Sequence, residues 1–382
     1  MTSIDFTNFT EGRYDRHELI SWWDQKKVSN AKIIVIGAGA LGNEVLKLLA
    51  LIGIGHITVV DFDTISPSNL ARMVLFREGD VGKPKVQVAA ERLREINPEV
   101  QVHPRQGDLR FVIGLGEYLT ADVVLGCLDS VNARWALNRK CMQAGVEWID
   151  GAISDFHGLI ARYSSTEGAC YECNFTPHTM ERFNRRYSCP FGLVSDQAED
   201  KVPTTAITTS IIAAFQVQQA LMMLHGIDEG LNPGERLTVY MKPYRMIKDR
   251  LPFNEDCFAH AQLPKNIPFV KFSKDMTVNM AIQEAQHFNP GVNTLVLPHE
   301  FVVEFLCTTC GEREAILMPK ESVYQNHAVC VQCGQIRVPQ IITNITKGTL
   351  HAEIPLKTLA FPNHEILQFT GNESSIYLQF DQ

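Results

Sequence analysis

Residues 33–42 read IIVIGAGALG. Four consecutive apolar residues, Ile33 to Ile36, have the pattern of a strand buried on both faces, and the glycines after it lead into an amphipathic helix, Asn43 to Leu51. Gly37, Gly39 and Gly42 form a G-x-G-x-x-G loop, whose glycines permit a tight turn and let backbone N–H groups and a helix N-terminus approach phosphate. The loop predicts a nucleotide-binding β-α-β opening. It does not choose the nucleotide.

Outward from this point, apolar strand patterns at His56–Asp61, Val100–His103, Val123–Leu128 and Val146–Asp150 alternate with helical patterns. Such alternation predicts an α/β fold, a doubly wound, mainly parallel Rossmann-like sheet. A charged helix is expected before it, around Asp15 to Asp24. From about Gln262 the pattern shifts to short β-rich runs with two Cys pairs, so a boundary is placed near Pro264 in the turn-prone LPKNIP stretch. Residues 1–264 then form the Rossmann-like unit and 265–382 a smaller β-rich one. No internal repeat or low-complexity tract is visible.

A chain of 382 residues, 45% hydrophobic and 20% charged, is a globular mixture long enough for two domains. The opening MTSIDFTNFTEGRYDRHE has no basic segment followed by an apolar one, so a cytoplasmic location is expected. Ala206 to Leu224 is apolar enough to raise the membrane question, but Gln216, Gln218 and Gln219 favour a core or dimer-interface helix. A net charge of −8 without a Lys/Arg run argues against nucleic acid and for protein or small-molecule partners.

Asp61, about 20 positions past the glycine loop, suits the ribose ligand of an NAD enzyme. The residues that follow, DFDTISPSNLARMVLFREGDVGKPK from 61 to 85, change the choice. Nicotinamide chemistry needs no polyphosphate clamp, whereas Arg72 and Lys85 suit the charge of α- and β-phosphates. Asp129, at the end of the Val123–Leu128 strand, suits a magnesium ion. Read without function, the same charges are a solvated rim.

Tyr14-Asp15-Arg16, GAGALG, VVDFD, SNLAR, GKPK and CLDSVNAR stand in the order and spacing of the ThiF-type adenylyltransferases. The chain resembles that family over roughly residues 13–262. The family includes activators of sulfur-carrier proteins and of ubiquitin and its relatives. The resemblance implies that Asp61 and Asp63 bind ribose or metal, that Asn69, Arg72 and Lys85 bind phosphate, and that Asp129 organises Mg²⁺. It also implies a homodimer in which Arg16 reaches the partner's ATP site. The implied reaction is attack of a carrier protein's C-terminal glycine carboxylate on the α-phosphate of ATP, which needs cations and positioning but no general base.

Ten cysteines in a reducing compartment point to metal or thiol chemistry. Cys170 and Cys173 in CYEC, with Cys257 and His260 in CFAH, supply two halves of a tetrahedral zinc site. The family usually has a second C-x-x-C where His260 stands, which leaves the fourth ligand open. Cys307, Cys310, Cys330 and Cys333 form two C-x-x-C knuckles, each followed by glycine, a zinc-ribbon pattern. Both sites are read as structural. Cys127 and Cys141 fall in apolar segments and are read as core residues. Cys189, near Arg182, Arg185 and Arg186, has neighbours that favour thiolate. It is either an acceptor that forms a thioester or related covalent link with the activated carrier, or a structural or merely exposed thiol. VPTTAITTSII resembles the helix start of a compact group of ubiquitin-fold activators. Their cysteine stands just before the proline, where Ala198 stands here, so Cys189 matches the sulfur-carrier activators' loop cysteine better.

The segment from Ile267 has no counterpart in the minimal sulfur-carrier activators. It is read as a docking module that presents the charged carrier to a conjugating enzyme, or as a dimer-stabilising one. The ending LQFDQ is not that of a processed carrier. The competing readings are a sulfur-carrier adenylyltransferase, an NAD-dependent dehydrogenase, a transfer-RNA adenosine dehydratase and a silent scaffold subunit.

Overall fold

The computed structural model describes residues 12–176, 203–264, 266–273 and 275–381. Strand β1 (Lys32–Ile36) lies between β2 (His56–Asp61) and β4 (Val123–Gly126), parallel to both. β3 (Gln101–Gln106) and β5 (Trp148–Ile153) extend the parallel part. β6 (His157–Tyr163), β7 (Glu235–Met241) and β8 (Tyr244–Arg250) then add an antiparallel meander. The order is β3-β2-β1-β4-β5-β6-β7-β8, so the winding direction reverses between β1 and β4. A crevice opens at the carboxyl ends of the strands at such a point.

The continuous apolar run of β1 follows from burial on both faces. Ile33 and Val35 pack with α3 (Ala40–Ile52), α4 (Lys85–Ile96) and the later helix Ala206–His225. Ile34 and Ile36 face the other layer, α5 (Leu109–Val112), α6 (Leu115–Leu119) and α7 (Val131–Ala144). The helix Ala206–His225, α8, has the length and hydropathy of a membrane span. Here it packs on α3 and β5. Gln216 Nε2 donates to the carbonyls of Gly126 (3.0 Å) and Ile149 (2.8 Å), and Gln219 exchanges bonds with Leu231. The glutamines that interrupt its apolar sequence thus complete buried hydrogen bonding between helix and sheet.

The single helix expected around Asp15–Asp24 is not present. A short α1 (Asp15–Glu18) is followed by turns, and α2 (Gln25–Asn30) starts at Asp24, whose carboxylate caps it. Tertiary contacts override the local pattern: Trp22 packs edge-on against His225 and Trp23 packs tilted against His17 and His225 instead of continuing a helix.

A second sheet comprises β9 (Phe269–Lys271), β10 (Thr294–Leu306), β11 (Arg313–Pro319), β12 (Val338–Thr346), β13 (Ile366–Thr370) and β14 (Ser375–Asp381). The order is β11-β10-β13-β14-β9, with β12 also on β10 and helix α9 (Val278–Phe288) packed against the sheet. Its core, around Phe272, Phe369 and Phe380, is separate from the first. The unit sits on α6 and α7: Gly116 N–H donates to His364 O (2.7 Å), and a Cβ at Gly114 would lie 2.2 Å from Asn363 O. Lys140 and Glu365 form a buried ion pair across this junction (3.4 Å).

Candidate active site and metal centres

The glycine loop leaves β1 at the crevice. Gly37 takes φ +98°, and a Cβ there would stand 2.4 Å from Cys127 O, so the turn lies against the end of β4. A Cβ at Gly42 would fall 1.8 Å from Gly37 O, which makes this glycine a condition of the tight turn. Gly39 differs. A Cβ there would meet no atom of the described residues within 4 Å. Among the described residues nothing therefore requires glycine at the start of α3, and the backbone there is open to an anionic group at the helix N-terminus.

Asp61 ends β2 and organises the loops around it. Its carboxylate accepts from Ala38 N (2.6 Å), in the glycine loop, and from Asp63 N (2.7 Å). Burial raises its pKa, opposed by the positive charge of Lys85. Lys85 is buried at the first turn of α4; its Nζ lies 2.6 Å from Asp63 Oδ2 and its N–H donates to Asp63 O. The structure thus joins Asp61, Asp63 and Lys85, 24 residues apart, in one cluster beside the glycine loop. Asn69 is buried in a capping turn, where its Oδ1 accepts from Ser66 N (2.9 Å); the amide nitrogen is the end that can donate to phosphate. Arg72 donates to Ser68 O (2.9 Å) from the same turn.

Asp129 is exposed just beyond β4, between Leu128 and Ser130, the N-cap of α7. Arg134, the last residue of the CLDSVNAR motif, has no role assigned from the sequence and lies in the first turn of α7. Its Nε lies 2.9 and 3.0 Å from the two oxygens of Asp150 on β5, and its Nη2 donates to Leu128 O. Arg16 is exposed on α1, where Tyr14 packs on Gly53 at the far end of α3. A 13-residue α3 is about 20 Å long. The structure therefore places Arg16 away from its own chain's glycine loop. Cys189 lies outside the described residues.

Cys170, Cys173, Cys257 and His260 converge, with Cys170 Sγ 3.7 Å from the sulfurs of Cys173 and Cys257, and Cys173 Sγ 3.2 Å from His260 Nε2. Cys307, Cys310, Cys330 and Cys333 also converge, with Sγ pairs at 3.5 and 3.6 Å. A tetrahedron with metal–sulfur bonds of about 2.3 Å has sulfur–sulfur edges of about 3.8 Å, so both donor sets fit one such ion each. Asn138 donates to Cys170 Sγ (3.6 Å) and Arg139 grips Glu172 (2.6 Å), tying the first tetrad to α7. Gly311 and Gly334 take φ +77° and +73° in the knuckles of the second. Burial raises the pKa of Cys127 and of Cys141, which leaves both as protonated core thiols at neutral pH.

Residues 14–257 match the ThiF family. The chain is 31% identical over 260 residues to the SAMP-activating enzyme E1 of Haloferax volcanii, covering 67% of this chain and 90% of that protein. It is 34% identical over 168 residues to the molybdopterin-synthase adenylyltransferase of Escherichia coli K12, covering 42% and 66%. Among solved structures, E. coli MccB with ATP is similar at a TM-score of 0.54 and 25% identity, covering 65% of this chain and 74% of that one. Another E. coli MccB structure contains AMPCPP and MccA. With the crevice, the phosphate-suited cations and a family match over more than half of its length, the chain belongs to the ThiF family, among members named as adenylyltransferases and activating enzymes.

Proposed function

We propose that the chain uses ATP and Mg²⁺ to adenylate the C-terminal glycine carboxylate of a ubiquitin-like or sulfur-carrier protein. The observation that carries this reading is the open N-terminus of α3 at Gly39 beside the Asp61–Asp63–Lys85 cluster, at the switch point of the sheet. Asp61 and Asp63 hold the ribose or a metal ion. Asn69, Arg72 and Lys85 meet phosphate charge, and Asp129 holds Mg²⁺. A carboxylate oxygen of the carrier attacks the α-phosphorus, the α–β anhydride bond breaks, and pyrophosphate leaves. The cations offset charge on the phosphoryl oxygens and leaving group as it develops.

Arg16 acts in the active site of a second copy, since α3 separates it from its own, and the working form is a homodimer. The body of the carrier docks beside the crevice at the β7–β8 turn, where Tyr244 (92% exposed) and Met246 present apolar surface on β8, the end strand of the sheet among the described residues. The Cys₃His set and the Cys₄ set each hold one structural zinc ion. Cys189 thiolate then attacks the acyl carbon of the adenylate, AMP leaves, and the β-rich unit presents the thioester-bound carrier to a conjugating enzyme. If Cys189 plays no part, the adenylate serves sulfuration of the carrier instead.

The protein is incubated with ATP, Mg²⁺ and small proteins ending in glycine, and resolved on non-reducing gels. A reducible conjugate that vanishes in Cys189→Ala, while ATP–pyrophosphate exchange persists, supports the reading. A conjugate surviving in that variant removes Cys189 from it.

A further inference from the structure

Asp129 is an exposed carboxylate on a short connection, and a metal-ligating group there must be held in place by its neighbours. Both flanking residues are held. Ser130 Oγ accepts from Ala133 N (3.1 Å), which fixes the start of α7. Leu128 O accepts from Arg134 Nη2, and the same guanidinium reaches both oxygens of Asp150 and, at 3.4 Å, Gly151 O. One side chain therefore joins the end of β4, the middle of β5 and the first turn of α7 around the residue that carries Asp129.

A buried ion pair contributes little to stability that well-packed apolar residues of similar volume would not. Arg134 and Asp150 are 12% and 5% exposed at their side chains, and the adjoining sheet and α7 already share an extensive apolar core. What apolar residues cannot supply is the bond to Leu128 O and the fixed fork of donors that sets its direction. We infer that Arg134, oriented by Asp150, is a positioning residue that holds the Leu128–Ser130 connection so that Asp129 meets Mg²⁺ with its nucleotide. The inference rests on the adenylation reading, which makes Asp129 the Mg²⁺ ligand. It adds a residue pair that sets the Mg²⁺ requirement without touching the ion.

The test compares the wild-type chain, Arg134→Lys and the double variant Arg134→Met/Asp150→Leu. The double variant leaves no unpaired buried charge and is expected to fold, which thermal unfolding checks. Binding of a fluorescent ATP analogue is measured in the absence of carrier, with Mg²⁺ and with EDTA, together with thermal unfolding. The expected result is a rise of about tenfold or more in the Mg²⁺ concentration at half-saturation for both variants, since partners of metal ligands act on that scale. Binding in EDTA should match wild type within about twofold, because Mg²⁺-free contacts do not depend on Asp129. A wild-type Mg²⁺ requirement in the folded double variant overturns the inference. An equal loss with and without Mg²⁺ also overturns it, since the pair would then serve the crevice as a whole. A wild-type chain whose nucleotide binding ignores Mg²⁺ overturns the underlying placement of the ion at Asp129 instead.

Discussion

Replacing Gly39 and Gly42 by alanine, one at a time, separates what the glycine loop does for the fold from what it does for a ligand. At Gly42 the new methyl group would stand 1.8 Å from Gly37 O, and reaching ordinary contact requires a shift of more than an ångström in a backbone already at φ +98°. Overpacking of this kind costs about 1–3 kcal/mol. For a folding unit of this size that lowers Tm by about 2–12 °C. At Gly39 the methyl group meets no atom of the described residues, and φ −69° is open to alanine. Alanine is a poorer N-cap than glycine by a fraction of a kcal/mol, offset by the lower entropy of its unfolded chain. Gly39→Ala should therefore melt within a few degrees of wild type. Its methyl group would occupy the space through which phosphate meets the α3 N-terminus, and a displacement of that size costs up to about 100-fold in binding or rate. Thermal unfolding by circular dichroism and calorimetric titration with Mg²⁺-ATP measure the two effects. Wild-type ATP affinity in Gly39→Ala would show that phosphate does not bind there. A wild-type Tm in Gly42→Ala would refute the packing argument.

Metal analysis should give two zinc ions per chain, falling to one in His260→Ala and to one in Cys310→Ala; two tightly held ions in His260→Ala would remove that histidine as a ligand. The junction between the two sheets should weaken in acid through His299. A neutral His299 donates from Nε2 to Arg110 O (3.2 Å), and burial, with Lys140 and Arg110 adding to it, pushes its pKa down to about 3. Above about pH 6.5 the ring is neutral both folded and unfolded, and there is no penalty. Between pH 6.5 and 3 only the unfolded chain takes the proton, so stability falls by about 1.4 kcal/mol per pH unit, or about 2 kcal/mol by pH 5. Urea midpoints at pH 7 and 5 should show this loss in wild type and less of it in His299→Gln. An equal loss in both assigns it to other groups.

The parts of this molecule legible in the sequence are those coded by local pattern. Ile33–Ile36 and GAGALG announce the central strand and its turn because double burial and phosphate approach each demand a residue type at a fixed spacing. The two metal sites are legible because each half has the spacing of a chelating pair; the family's second C-x-x-C left His260 open as the fourth ligand, and the structure brings it together with Cys170, Cys173 and Cys257. The helix expected around Asp15–Asp24 failed because Trp22 and Trp23 answer to His17 and His225, one of them some 200 residues away. Arg134 closes the CLDSVNAR motif but received no role there, because its meaning lies in Asp150, on another element, and no spacing rule joins a helix's first turn to the neighbouring strand. The order of the second sheet was equally hidden: β9 pairs with β14 across about 110 residues, and Glu365 is buried only because the unit sits on α6 and α7.

The central claim is that a carrier's terminal carboxylate attacks the α-phosphate of ATP. Its most direct measurement is exchange of labelled pyrophosphate into ATP with a small glycine-terminated carrier, compared with the same carrier amidated at its C-terminus. The account predicts Mg²⁺-dependent exchange with the free carboxylate, none with the amide, and loss of exchange in Lys85→Ala. Exchange that ignores the amide, or its absence with every glycine-terminated carrier, would contradict it.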